Sequence, residues 1–423
     1  MTRNFIGLSC GCSLLGVDAV LARVEGLGAD AGLHVESYLH APFGHELREL
    51  LWGVATTAAP ELRQLATLHR VLGETCALAV RQLLEQSRKP ASQISCIGFP
   101  GLSLWHGAEG RFPSTLNLGM AGVLAERTGL TTLSDFSSRD LALGGQGLPL
   151  SAIVDAMLFH HPHEHRVVIH LGSTVTLVSL PAQSAAFTTH HSPLTTYHSP
   201  STTHSDCNVI GFQAAPGTML LDGLMRLLTN GREPYDAGGK HAVQGRCLEP
   251  LLERWMQDHF FRLRPPKCVP RHEFGPDFLS RAIEQAKHNS GNLHDVLCTM
   301  THFVARATVH SLQNYVPAMP ARVLLSGNGV RNGFLWHVLE QRLGPLPLEK
   351  TDAHGIPAQA CKALAHAGLA ALTMDGVPVN LPSVTGASGR RLLGQFSPGS
   401  SGNWARCLAW MAQQTSPLQA AAA

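Results

Sequence analysis

A two-lobed α/β protein with a ligand cleft between its lobes is the fold class this sequence predicts, on three observations. The chain has 423 residues, more than one ordinary hydrophobic core accommodates. Hydrophobic residues make up 44% and charged residues 15%, the mix of a globular chain. The third is a layout that occurs twice: two short strand-like runs joined by a turn of small residues, then helical periodicity and further strands.

In the first half, residues 5–10 and 17–24 read as strands around a Gly-rich turn. Leu62, Leu65, Leu68, Val71 and Leu72 recur at helical spacing, which predicts a helix over 61–87 ending near Lys89-Pro90. ISCIGF at 94–99 reads as a buried strand, 123–129 as a short helix stopped by Gly129, and 131–136 as another strand. The second half opens with the strand RVVIHLG from 166, a Gly-Ser turn, and a strand at 174–180. Residues 182–207 are rich in Ser, Thr and His with few apolar side chains, so a flexible surface insertion is expected there. VIGFQAAPGT at 209–218 reads as a strand end running into a helix. Helical patterns follow at 217–229, 245–258, 276–287 and 292–315, then a strand, a Gly-rich turn and a helix in ARVLLSGNGVRNGFLWHVLEQRL, then an Ala-rich helix at 356–373. The expected lobes are 1–160 and 161–388. The tail 389–423 is expected to be mostly loose, with WARCLAWMAQQ as a terminal helix.

Several classes of function are excluded. Net charge is only +2 and the basic runs are pairs, such as Arg88-Lys89 and Arg390-Arg391, so a nucleic acid is not an expected partner. No apolar run approaches the ~20 residues of a membrane span. The start carries no clear cleavage site of a secretory signal, so the cytoplasm is the expected location. The ten cysteines contain no CxxC pair, which argues for free thiols over disulfides or zinc.

Three turns of small residues are able to aim backbone N–H groups at a phosphate: Gly11-Cys12-Ser13, Gly172-Ser173-Thr174 and Gly327-Asn328-Gly329. Strand-linking turns use Gly in any case. Their recurrence in this order raises the case for a nucleotide cleft.

The chain resembles the anhydro-N-acetylmuramic acid kinases, sugar kinases of the hexokinase–actin superfamily. That family opens with Gly-Leu-Met-Ser-Gly-Thr-Ser-Leu-Asp-Gly-Ile-Asp-Ala, and this chain with Gly7-Leu8-Ser9-Cys10-Gly11-Cys12-Ser13-Leu14-Leu15-Gly16-Val17-Asp18-Ala19. Ala125-Glu126-Arg127-Thr128-Gly129 and Gly144-Gly145-Gln146-Gly147 match fully, and Asp135–Asp140 matches at both ends. Pro234-Tyr235-Asp236, Pro265-Pro266-Lys267, Arg271, Asn332 and Val384-Thr385-Gly386-Ala387 also fit. The resemblance spans about residues 5–388 apart from the insertion. It implies a hexokinase–actin-like (ribonuclease H-like) fold with an inter-lobe nucleotide cleft. It implies ATP and Mg²⁺ as cofactors, a muramic-type sugar as substrate, and a homodimer as one expected assembly. The implied reaction phosphorylates the sugar's 6-oxygen while water opens the 1,6-anhydro ring, in peptidoglycan recycling.

The departures from the family pattern fall on the chemistry. The family's base is the Asp of Gly-Phe-Asp-Thr-Gly-Pro-Gly-Asn; here the segment is Gly211-Phe212-Gln213-Ala214-Ala215-Pro216-Gly217-Thr218. An amide does not accept a proton near neutral pH. The first loop's Asp is Leu15 and its Thr is Cys12. The His and Gln of the motif at Gly98–His106 are Pro100 and Leu102. A Gly-Gly turn carries Ser173, Ser-Thr-Gly is Cys268-Val269-Pro270, and an acidic residue of the Ala-rich helix is Lys362. A catalytically impaired homologue is therefore expected. An active kinase on another amino sugar, with Asp135, Asp140 or Asp206 as base, and a non-enzymatic partner or sensor are the alternatives.

By resemblance, Gln213 stands at the place of the base, with Arg139 and Asp140 as a substrate-side pair. Gly11, Cys12, Ser13, Gly172, Ser173, Gly327, Asn328 and Gly329 face the nucleotide. Gly145, Gln146, Lys267, Arg271 and Lys362 face the sugar, and Asp18 meets Mg²⁺ through water. Each has a structural alternative: a turn carboxylate for Asp18, an ion pair for Arg139 and Asp140, solvated charge for Lys267 and Arg271. For Gly144–Gly147 the alternative is backbone geometry, and for His106 and His170 a hydrogen-bonded place in the core or at its rim.

Overall fold

A computed structural model describes residues 1–11, 13–57, 59–182 and 209–420, with 415–420 as helix path alone. Cys12 and nearly all of the expected insertion lie outside the described residues.

Thirteen strands are described. They are β1 (Thr2–Cys10), β2 (Gly16–Glu25), β3 (Gly32–Pro42), β4 (Ile94–Gly98), β5 (Leu102–Gly107), β6 (Ser114–Leu118), β7 (Thr132–Ser134), β8 (Arg166–Leu171), β9 (Thr174–Leu180), β10 (Ile210–Pro216), β11 (Arg322–Ser326), β12 (Leu348–Lys350) and β13 (Gln395–Ser397). One sheet has the order β13-β7-β4-β1-β2-β3, another β10-β9-β8-β11-β12, and β5-β6 is a hairpin. In each large sheet the first two strands pair antiparallel, the third lies antiparallel beside the second, and the later two run parallel to the first. The order third-second-first-fourth-fifth thus occurs twice. This is the hexokinase–actin-like, ribonuclease H-like topology that the resemblance implies.

Three apolar clusters hold the sheets. The outer face of the first sheet packs Ile6, Leu8 and Ile97 against Leu68, Leu72 and Val80 of the helix Leu62–Ser87. The outer face of the second packs Val167, Ile169 and Leu325 against Phe303 and Val304 of the helix Leu293–Tyr315. The middle cluster draws on both sheets: Phe5 and Val20 from one, Val168, Val178 and Leu324 from the other. The helices Ala152–Phe159 and Cys361–Met374 lie in it. Gly7 and Gly98 let the second of these helices rest on backbone, because a Cβ on either would run into the carbonyl of Ala363 or of His366.

Several expectations need correction. The described part of the tail, 389–420, is not loose. β13 pairs with β7, and the helix Ser401–Ala420 packs beside it. Asn403 is the reason: its Oδ1 accepts from Thr131 N–H at 2.7 Å and its Nδ2 donates to Ile94 O at 3.1 Å. Trp410 adds an indole N–H to Asp375 Oδ1 at 3.0 Å, and the Arg3 guanidinium stacks on the same indole. The helix expected over 245–258 is Glu249–Met256, since Pro250 suits a first turn and not a helix interior. The helix expected from 356 begins at Cys361, after Pro357. Among the described residues no helix is long and apolar enough to cross a membrane. The described cysteines are free thiols.

Candidate active site

β8 and β11 are parallel neighbours, so the turns after Leu171 and Ser326 leave the sheet at the same edge. That edge, outside the carboxyl ends of the strands, is where open α/β sheets bind ligands. Gly327 has φ +86°, a backbone that suits Gly alone, and a Cβ there would stand 2.6 Å from Leu171 O. A Cβ on Gly329 would stand 2.7 Å from Leu171 Cβ. The N–H groups of Gly217 and Thr218, where the helix Thr218–Thr229 starts, donate to Ser173 O and Gly172 O at 2.8 Å each. Gly172, Ser173, Gly327 and Gly329 therefore come together around Leu171. Asn328 opens the one-turn segment Asn328–Arg331, whose first N–H groups have no partner within it. This set offers backbone donors, small side chains and no acid. It fits a nucleotide's phosphates. In the first sheet, Leu14 N–H closes the turn carrying Ser13 onto Gly11 O at 3.0 Å.

A polar chain lies directly behind these turns; of its members the sequence singled out only His170, as a hydrogen-bonded residue of the core or its rim. Asp155 Oδ2 meets His170 Nε2 at 2.9 Å, and His170 Nδ1 meets the Ser326 hydroxyl. His170 precedes Gly172 by two residues and Ser326 adjoins Gly327, so the chain ties the helix Ala152–Phe159 to both turns. Ser326 is fully buried, which makes it a strut here and not a nucleophile.

Gln213 sits in β10 immediately before a break in register. Its side chain is buried, and its Oε1 accepts from Val269 N–H at 2.8 Å. Its own N–H donates to Lys267 O at 3.1 Å. The adjacent Cys268 thiol reaches Gln146 O at 3.7 Å and Leu148 O at 3.6 Å, and burial pushes its pKa up to about 12. Gln146 O also accepts from His106 Nε2 at 2.8 Å, and the Arg271 guanidinium donates to Ser103 O at 2.9 Å. Burial keeps His106 below the usual imidazole range. Gln213, Gly145, Gln146, Asp140 and Arg271 thus gather around the loop 265–271.

Two expected site residues, Lys267 and Arg139, point elsewhere, and Asp140 is engaged inside the protein. The Lys267 ammonium is buried and donates to Phe260 O at 3.2 Å, 4.5 Å from the ring centres of Phe260 and Tyr315 and 5.8 Å from that of Phe212. Burial lowers its pKa to about 8. It holds an aromatic cage, not a ligand. Arg139 is exposed and donates to Leu392 O at 2.6 Å, away from Asp140, so the two form no pair. Asp140 is fully buried: Oδ1 accepts from Asn380 at 2.9 Å and Thr385 at 2.8 Å, and Oδ2 accepts from Gly147 N–H at 2.8 Å. A Cβ on Gly145 would collide with that carboxylate, which accounts for the Gly there. Lys362 is exposed near the start of its helix.

Asp18 is buried, and its Oδ1 already accepts from the Tyr38 hydroxyl and faces His40 Nδ1, at 2.8 Å each. Burial and this carboxylate together hold the Tyr38 hydroxyl well above the usual phenol range. A hard divalent cation takes several oxygen ligands. One half-engaged carboxylate does not make a cage for Mg²⁺.

The chain matches the anhydro-N-acetylmuramic acid kinase family over residues 3–193 and 200–399. The anhydro-N-acetylmuramic acid kinase of Synechococcus elongatus is 34% identical over 394 residues, 92% of this chain and 98% of that protein. That of Salinibacter ruber is 33% identical over 405 residues, 93% and 96% of the two chains. That of Nitrosomonas europaea is 33% identical over 394 residues, 93% and 99%. By the extent and order of these matches, the chain belongs to the anhydro-N-acetylmuramic acid kinase family.

Proposed function

We propose that this chain binds ATP and a muramic-type sugar in the cytoplasm and opens the anhydro ring poorly or not at all. The observation that carries this reading is Gln213: where water must lose a proton, the side chain is an amide whose oxygen is committed to Val269 N–H. ATP, when bound, supplies the phosphoryl group. Ser173, Asn328 and Gly329 would hold its phosphates through backbone donors, while the Gly172 and Gly327 N–H groups are engaged by His170 O and Ala358 O and shape the turns. Gln213 can orient a water and cannot deprotonate it. A positioned base is typically worth about 10²–10⁴-fold, or roughly 3–5 kcal/mol of barrier.

Of the bases an active kinase could use instead, Asp206 lies outside the described residues, and Asp135 and Asp140 are engaged. Asp140 has both oxygens engaged. Asp135 accepts from Ser138 on Oδ1 and from Gln395 on Oδ2. A ligand-binding protein derived from a kinase is the better reading.

Release of ADP with 1,6-anhydro-N-acetylmuramic acid and ATP–Mg²⁺ tests it, beside thermal shifts with each ligand alone. The expected result is a stabilising shift and negligible turnover. Turnover of about 1–100 s⁻¹, ordinary for kinases, would overturn it.

A further inference from the structure

We propose that Asp258, His259 and Glu273 form a metal site for a divalent ion of the zinc type, which clips together the two ends of the segment 258–273. The proposal is independent of what the cleft binds and of whether that ligand is turned over.

Each of the three residues offers one ligand atom, and these atoms lie within 4.8 Å of one another. Aromatic packing sets that spacing. Phe260 follows His259, and Phe274 follows Glu273. Both rings are buried and meet edge to face, 6.0 Å between centres. Phe261 packs on Phe274 as well, at 6.2 Å. The backbone is fixed at both ends. Asp258 Oδ1 caps the short helix His259–Arg262 by accepting from Phe260 N–H at 2.9 Å. Glu273 N–H closes a turn onto Pro270 O at 2.9 Å. Well-held neighbours thus carry three donors open to solvent: Asp258 is half-buried, and His259 and Glu273 are exposed.

The charge balance points to a cation. Asp258 and Glu273 have no Lys or Arg within ion-pair reach among the described residues. Their ionic neighbours are imidazoles: His259 Nδ1 is 3.4 Å from Asp258 Oδ1, and His272 Nε2 is 3.8 Å from Glu273 Oε1. Two carboxylates this close repel each other, and a divalent ion between them removes the repulsion. The donor set decides which ion. Mg²⁺ and Ca²⁺ favour shells made of oxygen, whereas an imidazole with two carboxylates suits Zn²⁺, which accepts three protein ligands and a water. The His272 ring, stacked on the Trp105 indole at 5.5 Å, stands behind Glu273 as an outer support. Between its two ends the segment carries Val269, whose N–H holds Gln213, and Arg271, which reaches Ser103. The ion therefore steadies the loop 265–271 from outside.

Calorimetric titration of the chelator-stripped full chain with Zn²⁺, in excess Mg²⁺, tests the site in the wild type, His259→Gln and Glu273→Gln. Both positions are exposed, so neither change disturbs the core. Uptake by other His and Cys side chains is common to the three proteins and cancels. The wild type is expected to bind one Zn²⁺ at least about tenfold tighter than either variant. At about a hundredfold excess over Kd, zinc should raise the wild-type Tm by a few degrees, and the rise should shrink in both variants. No zinc binding by the wild type, equal binding and equal Tm shifts in all three proteins, a loss confined to one variant, or a signal that the Mg²⁺ abolishes would overturn the proposal.

Discussion

The Gln213 side chain keeps the loop 265–271 attached to β10, and on the proposed reading it also stands where a base would activate water. Asp140, by contrast, is a carboxylate whose work is structural. It receives three hydrogen bonds inside the protein and holds Gly144–Gly147 to the segment around Thr385. Asp140→Ala leaves those donors unpaired, so it should cost about 3 kcal/mol or more in urea unfolding, with or without ligand. His366 yields a pH prediction. Its folded pKa of about 3 lies below the ordinary imidazole value, so the unfolded chain binds the proton first as pH falls. Its contribution to stability is whole above about pH 6.5 and declines below that toward the folded value. His366→Phe should lose less stability than the wild type between pH 7 and pH 4.5, measured by urea unfolding. The motif match located Gln213, Gly145 and the Gly turns, because those positions are set by local backbone. It did not reveal where Lys267 points. That depends on Phe260 and on Phe212 and Tyr315, the last two distant in sequence. His366 belongs to no motif, and a lone His on an Ala-rich helix carries no local signal.

Among the elements, the helix Cys361–Met374 is tightly constrained, since it lies on the bare backbone of Gly7 and Gly98. Gly98→Val should unseat it and lower stability by several kcal/mol, seen as loss of soluble protein or a large fall in Tm. The paired inner strands and the long helices were legible from apolar runs and helical spacing. β3 was not. It is an edge strand, and most of its side chains are only partly buried, so its alternation is weak. The β5–β6 hairpin was missed for a similar reason: Trp105 and Leu116 stay exposed. The tail looks loose by composition, yet its order comes from long-range partners such as Thr131, Ile94 and Arg3. Ending the chain at residue 394 would uncover β7 as an edge. It should lower Tm by several degrees and promote aggregation.

The whole molecule repeats one five-strand order in two sheets and joins them through a shared apolar layer. Side chains also span the two halves. Arg226 pairs with Glu49 and stacks on Trp52, and Arg271 reaches Ser103. On the proposed reading, that architecture is what lets a binding site outlast its chemistry. The direct measurement is steady-state ADP release with the anhydro sugar by the wild type and by Gln213→Asp, side by side, with Tm checked for both. The account predicts a wild type near background and a variant about 10²-fold faster or more. Equal rates in the two proteins, or a wild type already turning over at about 1–100 s⁻¹, would contradict it.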